Sequence, residues 1–113
     1  MSPSLFDDLL PPFHELDAFV ATHVMGWSEV RWHRERRVYI GRRPGSTVDT
    51  PVPLYSEQDD LAPSVLATLE QLGHGVQTSP VPEGWRVQVD EAAATLRTLP
   101  MALCAAVWRA LDG

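Results

Sequence analysis

Between Arg31 and Arg43 the chain reads "RWHRERRVYIGRR", and six of its nine basic residues fall inside that stretch. Every basic residue of the chain is arginine, and no lysine occurs. Six arginines less one glutamate, Glu35, leave a local charge of +5, so the remainder carries −11 of the net −6. Guanidinium groups are planar forks that grip carboxylates and phosphates through paired hydrogen bonds. Interleaved rings supply faces on which a base or another flat group can stack. The chemistry this segment offers is therefore recognition of an anion, and a small phosphorylated molecule needs only two or three such arginines and one ring. Trp32, Tyr39 and Tyr55 are the candidate rings. A second reading needs no ligand: charges on a hairpin at a sheet edge blunt edge-to-edge pairing, or meet acidic residues of the same chain or a twin subunit.

Signs of catalysis are weak. There is no glycine-rich phosphate loop, no HExxH pair and no nucleophile elbow. Cys104, the single cysteine, falls on the apolar stripe of a helical segment and reads as a core residue. The four histidines, His14, His23, His33 and His74, form no pair at metal-ligand spacing. The acidic run from Glu57 to Asp60 suits a solvated helix N-terminus. A non-enzymatic protein with no cofactor and no metal is expected. The acidic net charge opposes approach to long nucleic acids. No apolar run reaches the length of a membrane span. The stretch "MSPSLFDDLLPPF" lacks the basic leader and apolar core of a secretory signal, which predicts a cytoplasmic location.

The elements that must position these groups follow from periodicity. With 113 residues the size suits one domain. Residues 1–12, broken by Pro3, Pro11 and Pro12 yet carrying Leu5, Phe6, Leu9 and Leu10, read as an N-terminal arm on a domain of residues 13–113. Leu16, Phe19, Val20, His23 and Val24 recur as one stripe of a helix that Gly26 ends. Two strands joined across "HRERR" follow, then a loop, "RPGSTVDTP", and a short extended piece, "VPLY". Asp60 is placed as the N-cap of a second helix whose stripe is Leu61, Val65, Leu66, Leu69 and Leu72. "GVQTSP" and "WRVQV" read as a second strand pair, with Trp85, Val87 and Val89 on one face. Thr98 caps a last helix, with Pro100 in its first turn and Met101, Cys104, Val107, Trp108 and Leu111 as its apolar face. The expected order is α-β-β-α-β-β-α, an α+β fold with a four-stranded, mostly antiparallel sheet.

Three segments together resemble one family. "VMGW" (24–27) closing a helix before two strands, "VPLYSEQDDLAPSVLATLEQLG" (52–73) and "TLPMALCAAVWRAL" (98–111) resemble, in this order, the phage ABA sandwich family, small proteins of bacteriophages and prophages. The resemblance spans residues 16–111; residues 1–12 lie outside it, and "RRPGSTVDTP" and "DEAAATLRT" align poorly with it. It implies a three-layer helix-sheet-helix sandwich and a viral or prophage origin in a bacterial host cell. It implies little about activity, since the family's function is largely uncharacterised. Within it, Gly26 allows the sharp exit from the first helix and Trp27 plugs the sheet end. Pro53, Tyr55 and Ser56 precede a helix N-terminus, whose free N–H groups favour an anion. The expected ligand-binding residues are thus Trp27, Arg31, Trp32, Arg36, Arg37, Arg42, Tyr55 and Ser56, around a small anionic, nucleotide-like ligand. A virus could use such a site to sequester a defence signal of its host. The alternative is an interaction module whose basic hairpin meets an acidic partner or a second subunit as a homodimer.

Overall fold

The computed structural model describes residues 10–112. The expected arm lies outside the described residues except for 10–12, where the Pro12 carbonyl accepts the N–H groups of Glu15 and Leu16 and opens the first helix. The elements in chain order are α1 (Phe13–His23), β1 (Ser28–His33), β2 (Val38–Arg42), β3 (Asp49–Pro51), a 3-10 turn (Asp59–Leu61), α2 (Ala62–Gln71), β4 (Val76–Val81), β5 (Gly84–Val89), β6 (Ala92–Leu96) and α3 (Leu99–Asp112). The fold is α+β, but it contains two three-stranded antiparallel meanders, β1-β2-β3 and β4-β5-β6, in place of the single four-stranded sheet expected. The order is accordingly α-β-β-β-α-β-β-β-α.

Each sheet gained a strand that its residue types conceal. β3 is three residues long and ends in Pro51, inside a stretch with the composition of a loop; it pairs with β2 at Ile40, Gly41 and Arg42. β6 begins Ala-Ala-Ala, residues depleted in strands, yet it pairs with β5 along its whole length. A two-residue connection forces that pairing: Asp90 adopts φ +53, a left-handed conformation that aspartate tolerates better than most residues. The alanines also let α3 approach closely, since α3 packs on β5 and β6.

The layers differ from helix-sheet-helix as well. α1 packs against β1, β2 and α3, while α3 packs against β5 and β6 on its other side. The layers therefore run sheet, α1, α3, sheet, with α2 against α3 and β4. A helix in that position is covered all round, and Ala102 through Val107 are buried without a break. The expected stripe on α3 is too narrow for this. Met101, Trp108 and Leu111 are only half-buried, whereas Ala102, Leu103, Ala105 and Ala106 join Cys104 and Val107 inside. Thr98 does cap α3, accepting the N–H of Met101 at 3.3 Å.

Two further placements change. Asp60 lies within the 3-10 turn and makes no cap; Leu61 occupies the N-cap position of α2 and no side chain caps it. On α2, Ala62, Val65 and Leu69 are buried, while Leu72 is exposed. On α1 the buried residues are Leu16, Asp17, Ala18, Val20 and Ala21, and His23 is exposed, its ring against Phe19 at 4.2 Å. The hairpin β1–β2 turns through residues 34–37 as the sequence suggests. Arg37 closes it without glycine by adopting φ +55, its N–H bonded to the His33 carbonyl at 2.8 Å.

Candidate functional site

The six clustered arginines do not converge on one cavity. Asp49, delivered by β3 alongside β2, takes two of them: its carboxylate accepts from Arg31 at 2.7 Å and from Arg42 at 3.4 Å. The Arg31 guanidinium beside it holds the Asp49 carboxyl below the usual carboxylate range. Arg43 sits over the Trp27 ring, 5.8 Å from its centroid, a cation–π distance. Arg34, Arg36 and Arg37 remain in the exposed hairpin turn and make no ion pair among the described residues.

Of those three, Arg37 stands at a cleft of about 310 Å³, bounded also by His14 and Asp17 of α1, Val38 and Tyr39 of β2, Pro51 of β3, and Val52 and Leu54 just beyond it. The third strand missing from the sequence reading builds one wall. The volume lies at the lower end of small-molecule sites. Three rings gather at one edge: His14 lies 5.2 Å from Trp32 and 5.9 Å from Tyr39, and Trp32 meets Tyr39 edge-on at 5.1 Å. Trp32 stays 42% exposed despite these contacts. Burial raises the Tyr39 phenol above its ordinary value, and Glu15 pushes in the same direction.

Asp17 brings a carboxylate to this mostly apolar cleft and is only 3% exposed. Its Oδ1 accepts the backbone N–H of Ser56 at 2.7 Å, across 39 residues of chain. Burial raises the Asp17 carboxyl above its ordinary value; the Ser56 hydroxyl and N–H pull it part of the way back. The Ser56 hydroxyl is near enough to bias that charge but lies outside hydrogen-bond geometry, and it has no other partner among the described residues. Thus the Ser56 N–H is engaged by a carboxyl group of the protein itself, while the helix N-terminus that the sequence offered to an anion begins later, at Ala62.

The expected binding residues therefore separate. Arg37 and Trp32 belong to the cleft and its aromatic edge. Arg31 and Arg42 are held by Asp49, and Arg36 stays on the turn, its N–H bonded to His33 Nδ1 at 3.1 Å. Trp27 and Tyr55 are core residues. Burial raises the Tyr55 phenol, while the Trp27 indole N–H and the Arg43 guanidinium pull it down. Ser56, the partner of Asp17, lines a separate pocket with Phe13, Glu57, Thr98 and Met101. Asp17 was missed although a signal existed: it leads the series Asp17, Val20, Ala21, Val24, an i, i+3, i+4, i+7 stripe that is buried throughout. Cys104 is buried on α3, which pushes its thiol far above its ordinary value and keeps it from acting as a thiolate.

The chain matches no family model, no curated protein and no solved structure. The meaning of the cleft rests on its own geometry.

Proposed function

We propose that this protein is a non-enzymatic binding protein for a small, planar, anionic ligand of nucleotide-like chemistry, seated in the cleft between the start of α1, β2 and the segment following β3. The observation that carries this reading is that Arg37, with no ion pair among the described residues, is one of the residues lining a ring-edged, mostly apolar cleft of about 310 Å³. An unpaired arginine supplies affinity for phosphate or carboxylate. The neighbouring rings and Val52, Pro51 and Leu54 would cover a flat ring system. In the setting that the family resemblance suggests, a phage or prophage protein in the bacterial cytoplasm, sequestration of a host signalling nucleotide would be its use.

Thermal denaturation against nucleoside mono-, di- and cyclic phosphates tests this. A ligand at a hundredfold excess over its Kd adds about 2.7 kcal/mol, roughly 10 °C for a chain of this size. No shift across the panel sinks the reading. Substituting Arg37 should abolish any shift found, and substituting Arg36 should leave most of it.

A second reading has its own observation. Arg34 and Arg36 project from the turn without ion pairs among the described residues, next to exposed Trp32. That surface suits an acidic protein partner or a second copy of the chain. Light scattering on wild type and an Arg34→Glu, Arg36→Glu double variant separates a homodimer through this turn from a monomer.

A further inference from the structure

Asp17 goes unexplained by an anion site, because a carboxylate in the cleft repels the charge that Arg37 attracts. Its burial also costs free energy, and the single bond to Ser56 engages only one of its oxygens. No partner stands within hydrogen-bond geometry of Oδ2 among the described residues, and Asp17 lines the cleft. Beside it the Ser56 hydroxyl, fully buried, is the one buried side-chain polar atom without a partner among the described residues. The second carboxylate oxygen of Asp17 is thus the hydrogen-bonding capacity left on the α1 side of the cleft, while Arg37 comes from the hairpin; Ser56 lines a separate pocket with Phe13, Glu57, Thr98 and Met101.

We infer that Asp17 determines specificity by accepting a hydrogen bond from an amino group on the ligand's ring, while Arg37 holds the ligand's anionic group. The ligand class is an amino-substituted heterocycle bearing phosphate or carboxylate. This rests on the anion-binding reading above. A ring without a donor would leave Asp17 desolvated and unanswered, and sites built around a buried polar group reject such analogues strongly.

The test is calorimetric titration of the full chain with matched pairs differing only in the exocyclic amino group: AMP against purine riboside 5′-monophosphate, and GMP against IMP. In the pair that binds, the amino member should bind at least tenfold more tightly. Asp17→Asn, whose amide oxygen can keep the Ser56 bond, should bring that ratio to about one or invert it, because the amide NH₂ would then face the ligand. The wild-type pairs need no variant, so the inference stays testable should Asp17→Asn fold poorly. Binding without discrimination within a pair overturns the role of Asp17 and leaves the anion site standing. Absence of binding by every member overturns both.

Discussion

Removing the Asp17 carboxylate should release the segment carrying Tyr55 and Ser56 from α1, and two substitutions separate the reasons. Asp17→Ala deletes the acceptor of a buried N–H, bonded at 2.7 Å to a group only 3% exposed. A bond to a charged group is worth about 1.5–3 kcal/mol, and an orphaned buried donor costs about 1–3 kcal/mol for what is largely the same loss. Relief of the carboxylate's own desolvation offsets part of it. The net expectation is a loss of about 2 kcal/mol, some 8 °C in Tm. Asp17→Asn retains an oxygen for Ser56 and carries no charge, so it should stay within about 1 kcal/mol of wild type. The pH dependence has a definite sign. Because burial raises the folded-state pKa of Asp17, the folded state binds the proton more tightly than the unfolded chain does. Its contribution therefore favours the fold below the unfolded value and is lost as pH rises through the folded value. Asp17→Asn lacks that slope. Urea denaturation from pH 3 to pH 7 measures both effects. An Asp17→Ala variant as stable as wild type, or an Asn variant as weak as the Ala one, would refute the assignment.

Other outcomes follow from local geometry. Gly84→Ala should cost several kcal/mol, since a Cβ there would overlap the carbonyl oxygens of Leu96 and Arg97 and the residue holds φ +141; thermal melting reads the loss. Arg37→Gly should leave stability within about 1 kcal/mol, because relief of left-handed strain at φ +55 is balanced by glycine's added freedom in the unfolded chain. That makes it a folding-neutral probe of the cleft, and a large Tm drop would contradict the turn geometry. His74 holds the Asp90 carboxyl below its ordinary value, with the Gly75 N–H adding to this. Stability from that pair is present above about pH 4, the unfolded carboxylate value, and is lost as pH falls through the lower folded one. Asp90→Asn should flatten the acid limb of the stability profile, and an unchanged limb counts against the bond.

The helices and the hairpin β1–β2 could be read from the chain because periodicity and capping act locally. The spacing of Leu16 and Val20, Gly26 after α1, and Thr98 with Pro100 at α3 each state a boundary within a few residues. β3 and β6 could not be read that way. A three-residue strand ending in proline and an alanine-led strand exist because neighbouring strands pair with them, a contact of the folded chain. Missing β3 also hid the fate of the arginines, since Asp49 reaches Arg31 and Arg42 only from that strand. The inner faces of α1 and α3 were drawn as stripes, whereas helices enclosed between two sheets bury more of their circumference. Asp17 was passed over for the same reason: a stripe sought among apolar residues skips a buried acid on the same face.

The proposed site sets Arg37 and the rings beside it against a bound anion. The most direct measurement is an NMR titration of the isotopically labelled chain with nucleoside monophosphates, followed at backbone amides and the Trp32 indole. Saturable shifts are expected at His14, Arg37, Val38, Tyr39 and Val52, and none in the Arg37→Gly variant. Shifts confined to Arg34–Arg36, or none at millimolar ligand, would contradict that placement.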